Sequence, residues 1–163
     1  MHPRPSKGQV APLFERLVNH PQRLVDNGIP TQEPLRSYQI EEAGESIRRE
    51  VERLLNTRCT LPAECAGETT VLQYGVPDFT HISAASTLDL LALSRKLSWA
   101  ITSFEPRLSH VQVELRRDPS KPNAAVGHLH AKLQLRTMSE AVSFPLALGR
   151  DGQASVAEPE EVP

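Results

Sequence analysis

The stretch "SFEPRLSHVQVEL", Ser103 to Leu115, decides the fold, because the hydrophobic period changes inside it. Upstream, Leu90, Leu93, Leu97, Ile101 and Phe104 recur at three- and four-residue steps, the spacing of a helix with one buried stripe. Downstream, Val111, Val113 and Leu115 alternate with His110, Gln112, Glu114 and Arg116, the pattern of a half-buried strand. Pro106 separates the two. Its ring fixes its own φ and drives Glu105 out of the helical region, so the helix must end before it. Glu105 and Arg107 then project from a stiff corner. Two readings of that trio stand side by side. In one, Arg107 caps the helix C-terminus while Glu105 satisfies local amides. In the other, the planar guanidinium is offered to a partner's carboxylate or carbonyls.

Towards the N-terminus, Ser86 and Thr87 supply candidate caps and Asp89 sits in the first turn, where a negative charge suits the helix dipole. Before them, Gly75 and Pro77 close any regular element in "VLQYGVPDFTHIS". The strongest helical pattern is "YQIEEAGESIRREVERLLN", with Ile40, Ala43, Ile47, Val51, Leu54 and Leu55 on one stripe. Its other positions are almost all charged, with Glu45 one turn before Arg49, and read as a solvated face. Earlier still, Leu13, Phe14, Leu17 and Val18 mark a short docking helix.

Towards the C-terminus, "RDPSKPNA" is a turn, after which Leu129, Ala131, Leu133 and Leu135 alternate with His128, His130, Lys132, Gln134 and Arg136. If the apolar faces of the two strands coincide, odd positions pair with odd, and Glu114 falls opposite His128 or His130. A third run buries Val142, Phe144, Leu146 and Leu148. Within it Pro145 removes a ladder donor and argues for a sheet edge or a bulge. "GQASV" adds a brief last strand. The expected fold class is therefore α+β, with N-terminal helices packed on a small antiparallel β-meander.

A chain of 163 residues has the size of one domain with frayed ends. The expected organisation is a flexible N-terminus over 1–9, a single domain over 10–156 and a disordered acidic tail, "AEPEEVP", over 157–163. The net charge is -2 with both signs interspersed, so neither nucleic acid nor anionic lipid is an expected partner. No signal-like or membrane-spanning run is present, which gives a cytoplasmic expectation without membrane insertion. Cys59 and Cys65, in "CTLPAEC", are too close and too poor in other ligand types for a zinc site, and are expected as two free thiols.

Catalytic patterns are weak. His128 and His130 point to one side of a strand and would share a metal only with a third ligand such as Glu114, with His110 further along the ladder. A cross-strand Glu/His pair on a wet face explains them without metal. A glycoside hydrolase needs two carboxylates across a cleft, and Glu105 with Asp78 are the only pair in motif-like settings. Each is tied to a proline, and 4% aromatic residues offer few platforms for sugar rings. There is no nucleophile elbow and no Gly-rich phosphate loop, and no cofactor is expected.

In order, "PLFERL", "IRREVERLLNTR", "VLQYGVPDFT", "FEPRLSHVQV" and "AVSFPLALGRDGQASV" resemble the TssE family, bacterial relatives of the small wedge protein of contractile phage baseplates, from about Val10 to Val156. The resemblance implies a sheath-like handshake domain and a non-enzymatic subunit of the type VI secretion baseplate, on the cytoplasmic side of the inner membrane. Its implied partners are the wedge proteins TssF and TssG, TssK, and the sheath proteins TssB and TssC. The family's Glu-Pro-Arg signature falls on Glu105, Pro106 and Arg107, which would contact the wedge core. Tyr74, Gly75, Pro77 and Asp78 match the family turn and would shape the fold. Sheath assembly would begin by strand addition at a sheet edge, expected over Glu140 to Val156. Pro145 departs from the family pattern there, which usually carries an acidic residue or threonine. An adaptor unconnected with secretion is the alternative, and a lysozyme-like hydrolase, suggested by an old family label, is the remote one.

Overall fold

The computed structural model of the chain describes residues 9–10, 25–26, 29–30, 37–38, 40–59, 70–121, 123–135 and 138–161. The docking helix expected from Leu13 to Val18 lies outside these residues, as does Cys65. Two helices are described, α1 (Ile40–Leu55) and α2 (Thr87–Phe104). Near the N-terminus β1 (Gln9–Val10) pairs with β4 (Ser37–Tyr38), and β2 (Val25–Asp26) with β3 (Ile29–Pro30). The main sheet is an antiparallel meander of β5 (Leu108–Arg117), β6 (Ala125–Leu135), β7 (Met138–Leu148) and β8 (Ala154–Val156). A short β9 (Glu160–Glu161) also pairs with β7. The α+β expectation holds.

Helix α2 starts as its sequence dictates. The Ser86 hydroxyl accepts the Asp89 N–H at 3.2 Å, and Asp89 stands in the first turn. It ends at Phe104, where the Glu105 N–H still donates to the Ile101 carbonyl at 2.8 Å before Pro106 turns the chain into β5. Both helices lie on one face of the sheet, α2 against β5 and α1 against β8. Their stripes meet the inward residues of the strands in one core, with Ile47, Leu55, Leu97, Ile101, Leu129 and Phe144 fully buried.

The register follows the hydrophobic pattern: Val113 faces Leu129 and Glu114 faces His128, odd against odd and even against even. One irregularity breaks it. Ser109 pairs with Lys132 but Gln112 with His130, so His110 and Val111 together oppose Ala131 as a β-bulge. The extra residue shifts the inward phase, which explains why Leu108 is buried although the alternation after the bulge runs through Val111, Val113 and Leu115. His110 carries the bulge in the left-handed region, at φ 52, where an L residue with a Cβ is strained.

Two expectations are corrected. Pro145 is neither at an edge nor in a bulge: β7 is flanked by β6 on one side and by β8 and β9 on the other. The Pro145 carbonyl accepts the Ala157 N–H at 2.9 Å, so its backbone faces away from β6, and its missing N–H falls where pairing passes from β8 to β9. The tail, expected as disordered from 157, is instead laid along β7, with Ser143 opposite Glu160 and Val142 opposite Glu161. Its Pro159 ring packs over Gly44 of α1, where an added methyl would come within 3.1 Å.

At the bulge, His110→Val should lower stability by about 1–2 kcal/mol, because a β-branched residue cannot rest at positive φ. His110→Gly should stay within about 0.5 kcal/mol of the parent, relief of strain offsetting the entropy gained by the unfolded chain. Urea midpoints of the two variants check this.

Candidate functional site

The corner between α2 and β5 is closed on itself. Glu105 and Arg107 are 5% and 9% exposed. Arg107 donates from Nε to Glu105 Oε1 at 2.7 Å and from Nη2 to Oε2 at 2.6 Å, a two-pronged pair. The Arg107 backbone N–H donates to the same Oε1 at 3.2 Å, and Arg107 Nη1 donates to Ser46 Oγ of α1 at 2.9 Å. The Arg107 carbonyl accepts the Gln134 N–H of β6 at 2.8 Å. One arginine thus joins both helices and the second strand. Glu105 satisfies a local amide as one reading expected, but Arg107 does not cap α2, and neither charged group faces outward. Pro106 is the exposed member of the trio.

Ser46 carries no motif of its own in the sequence. It lies beside Ile47 on the buried side of α1 and is itself fully buried. A small hydroxyl among core positions is the signal that a buried donor must reach it.

The Leu54-to-Arg58 helix end and the Tyr74-to-Asp78 turn, apart in sequence, come together. The Val76 N–H donates to the Thr57 carbonyl and the Cys59 N–H to the Val76 carbonyl, both at 2.9 Å. Gly75, at φ 116, permits this approach: a Cβ there would stand 2.6 Å from the Thr57 oxygen. Tyr74 meets Phe104 edge to face at 5.3 Å, linking the turn to the end of α2, and its burial pushes the phenol pKa up. Pro77 is half-buried. Exposed Asp78 accepts from the Thr80 N–H at 2.9 Å and the Thr80 hydroxyl at 3.1 Å, and these bonds hold its carboxyl below the usual range. Arg58 donates to the Leu55 carbonyl at 2.8 Å and to the Gly152 carbonyl, and lies over the Phe79 ring at 4.6 Å.

Part of the α1 charged face is not solvated, contrary to expectation. Arg48, Glu52 and Asn56, spaced four apart, run along the outer edge of β8. Asn56 Oδ1 accepts the Ala154 N–H at 2.9 Å while Asn56 Nδ2 donates to the Ala154 carbonyl at 2.8 Å, imitating a neighbouring strand. Arg48 Nη1 donates to the Val156 carbonyl at 3.0 Å, and the Val156 N–H donates to Glu52 Oε1 at 3.4 Å. Arg48 is held in place by Glu45, at 2.7 and 2.8 Å, and this pairing lowers the Glu45 pKa and raises that of Arg48.

These contacts do not favour hydrolysis. Glu105 is locked in a closed ion pair, and Asp78 is drawn below the ordinary carboxylate range, the reverse of what an acid catalyst requires. The rings of His128 and His130 stack at 5.7 Å, with Ser143 Oγ 3.4 Å from His128 Nδ1 and Glu114 on the neighbouring strand. Among the described residues no group of three side chains is placed to hold a metal ion.

A family model described as baseplate wedge protein gp25 matches residues 41–140, a span that takes in α1, the Tyr74-to-Asp78 turn, α2, the corner and the first strands of the meander. The chain belongs to the gp25 family of baseplate wedge proteins. As a member it is a structural component of a baseplate. A solved structure described as the baseplate complex from the type VI secretion system is similar at 19% identity and a TM-score of 0.49, over 72% of this chain and 96% of that one. No curated protein matches. The residues of the gp25 match include both halves of the clasp, Ser46 and Glu105-Pro106-Arg107.

Arg107→Ala should cost about 3–5 kcal/mol in urea unfolding, since it strands the Glu105 carboxylate in the interior, whereas Glu105→Leu combined with Arg107→Met should recover most of that loss. For Asp78 the folded pKa is depressed, so its stabilising effect is present above the ordinary aspartate value of 3.8 and fades as pH falls below it. Asp78→Asn should flatten that acid limb of the stability profile.

Proposed function

We propose that this gp25-family chain is a non-enzymatic, TssE-type subunit of a type VI secretion baseplate wedge. It joins the wedge proteins TssF and TssG, near TssK, and starts the sheath of TssB and TssC by strand addition. The observation that carries this reading is the clasped corner. The segments on which the resemblance rests, Leu54 to Arg58, Tyr74 to Asp78 and Glu105 to Arg107, are tied together by buried or half-buried contacts. Together they make a rigid mount that turns Pro106 outward. Such a mount suits recognition of a partner surface without induced rearrangement. In this reading Glu105 and Arg107 act on the wedge contact by holding the shape of the corner, and Pro106 touches the partner.

The residues from 10 to 156 form one wedge domain, with the tail laid against it as far as Glu161. We place the protein in the cytoplasm, beneath the inner membrane. None of the described helices is long and apolar enough to cross a bilayer. Sheath initiation draws support from an antiparallel sheet whose terminal strand β5 has no second strand partner among the described residues, since unpaired backbone groups accept an added strand. A cytosolic adaptor would keep the fold and lose these partners.

Co-expression with TssF and TssG tests the reading. The wild type should be retained on the tagged wedge proteins, and Pro106→Glu should lose at least tenfold in affinity at an unchanged melting temperature. Failure of the wild type to bind folded TssF and TssG would favour the adaptor.

A further inference from the structure

At the end of the sheet away from the Glu105–Arg107 corner, three connections meet: the β5–β6 turn, the β7–β8 turn and the Phe79-to-Ala84 stretch that leads into α2. Strand β5 begins at the corner and spans about 30 Å, so this end is a separate surface. Each connection is pinned by its own backbone bonds. The Asp118 N–H donates to the Ala124 carbonyl at 2.9 Å, the Gly149 N–H to the Gln153 carbonyl at 2.8 Å, and the Ile82 N–H to the Phe79 carbonyl at 3.0 Å. The hollow they enclose is therefore preformed.

That hollow has a volume of about 210 Å³. Its floor is apolar, made by Phe79, Leu90, Leu93, Ala125 and Leu148, all buried. Its rim is polar, with His81, Ser83, Asn123 and Arg150. Size decides what fits. A dry cavity of about 150 Å³ holds a benzene ring, whereas sites for whole small molecules run from about 300 to 1,000 Å³. A hollow between these limits takes one large side chain with the atoms that flank it.

Charge narrows the choice further. Among the described residues no Asp or Glu lines the hollow. Ser83 Oγ already accepts the Ala85 N–H at 3.3 Å, and His81 lies within electrostatic reach of Asp78, whose oxygens accept from Thr80. Arg150 is exposed, and among the described residues neither its guanidinium nor the Asn123 amide has a bonding partner. Past these two residues the surface dips again into a more open hollow that they share, lined also by Lys121, Val126, Ala147 and Ser155. The carboxylates there are already engaged. Asp118 accepts the Ser120 N–H at 2.7 Å, and Asp151 Oδ1 accepts the Gln153 N–H at 3.1 Å. Lys121 and Arg150 are left as uncommitted cations between two apolar-floored depressions.

We infer that this hollow is a docking site for a single anchor of a partner protein, a phenylalanine or leucine with a carboxylate on the neighbouring residue. The apolar side chain fills the floor, where burial of its surface supplies the affinity. The carboxylate meets the Arg150 fork and the Asn123 amide, which supplies the orientation. The rest of the segment continues past Arg150 into the second hollow. This docking is independent of the strand-addition reading, since it uses side chains at the strand ends and not the backbone of a sheet edge.

The test follows amide NMR signals of the full chain during titration with three probes: N-acetyl-phenylalanine, its neutral amide, and the peptide acetyl-Ser-Asp-Phe-Gly-Ser-amide. The acid should shift the signals of Thr80 to Ala84 and of Leu148 to Arg150, with binding about tenfold stronger than that of the amide. The peptide should bind about tenfold more tightly than the acid, because it reaches the second hollow. Arg150→Glu should keep the parent melting temperature and abolish the preference for acid over amide. If that variant melts early, the same loss in Arg150→Gln carries the test. Equal binding of acid and amide to the parent chain would overturn the charge assignment, and the absence of shifts with all three probes would overturn the site. A peptide that binds no better than the single amino acid would make the ligand a small organic acid and overturn the partner-protein anchor.

Discussion

Two opposite charges buried at the end of a helix have no water to fall back on, so they must be satisfied by each other and by whatever the fold brings close. Glu105 and Arg107 meet that demand completely, through two short side-chain bonds, a backbone amide and the Ser46 hydroxyl. The requirement propagates outward. Ser46 must face the corner, which sets the rotation of α1, and the Arg107 carbonyl must meet Gln134, which anchors β6 where β5 begins. Once α1 is set, Arg48, Glu52 and Asn56 reach β8 and the sheet acquires one sealed side.

That sealing gives the meander a direction. An antiparallel sheet with two open edges would invite pairing on both, and proteins block such edges with side chains, bulges or short strands. Here one side is occupied by α1 and β9, while on the other the His110 bulge breaks the regular pairing and the Ser98 hydroxyl takes the Val113 N–H. For a gp25-family baseplate component, an asymmetry of this kind suits a part that must meet different neighbours on different faces.

Much of this was legible in the residues. The switch of period around Pro106 placed the helix end and the first strand, and the odd-with-odd argument placed Glu114 against His128. Gly75 and Asp78 marked a turn that the structure contains, one through a positive φ and the other through a side-chain bond to Thr80. Pro145 does not mark an edge, because a missing donor matters only if the backbone points towards a neighbour that needs it, and strand order is not written in local pattern. The charged face of α1 departs from its local pattern for a similar reason. Arg48, Glu52 and Asn56 look like solvated helix surface until a strand edge lies beside them.

The sequence by itself determined where helices and strands begin and end, which faces are apolar, and the order of motifs that marks the family, because these depend on period, capping and proline geometry within a few residues. Only the tertiary structure decided that Glu105 and Arg107 close on each other and on Ser46, and that the β8 edge is sealed. Those outcomes depend on backbone groups and side chains from distant segments arriving at the same place, where burial leaves each polar atom one partner or none.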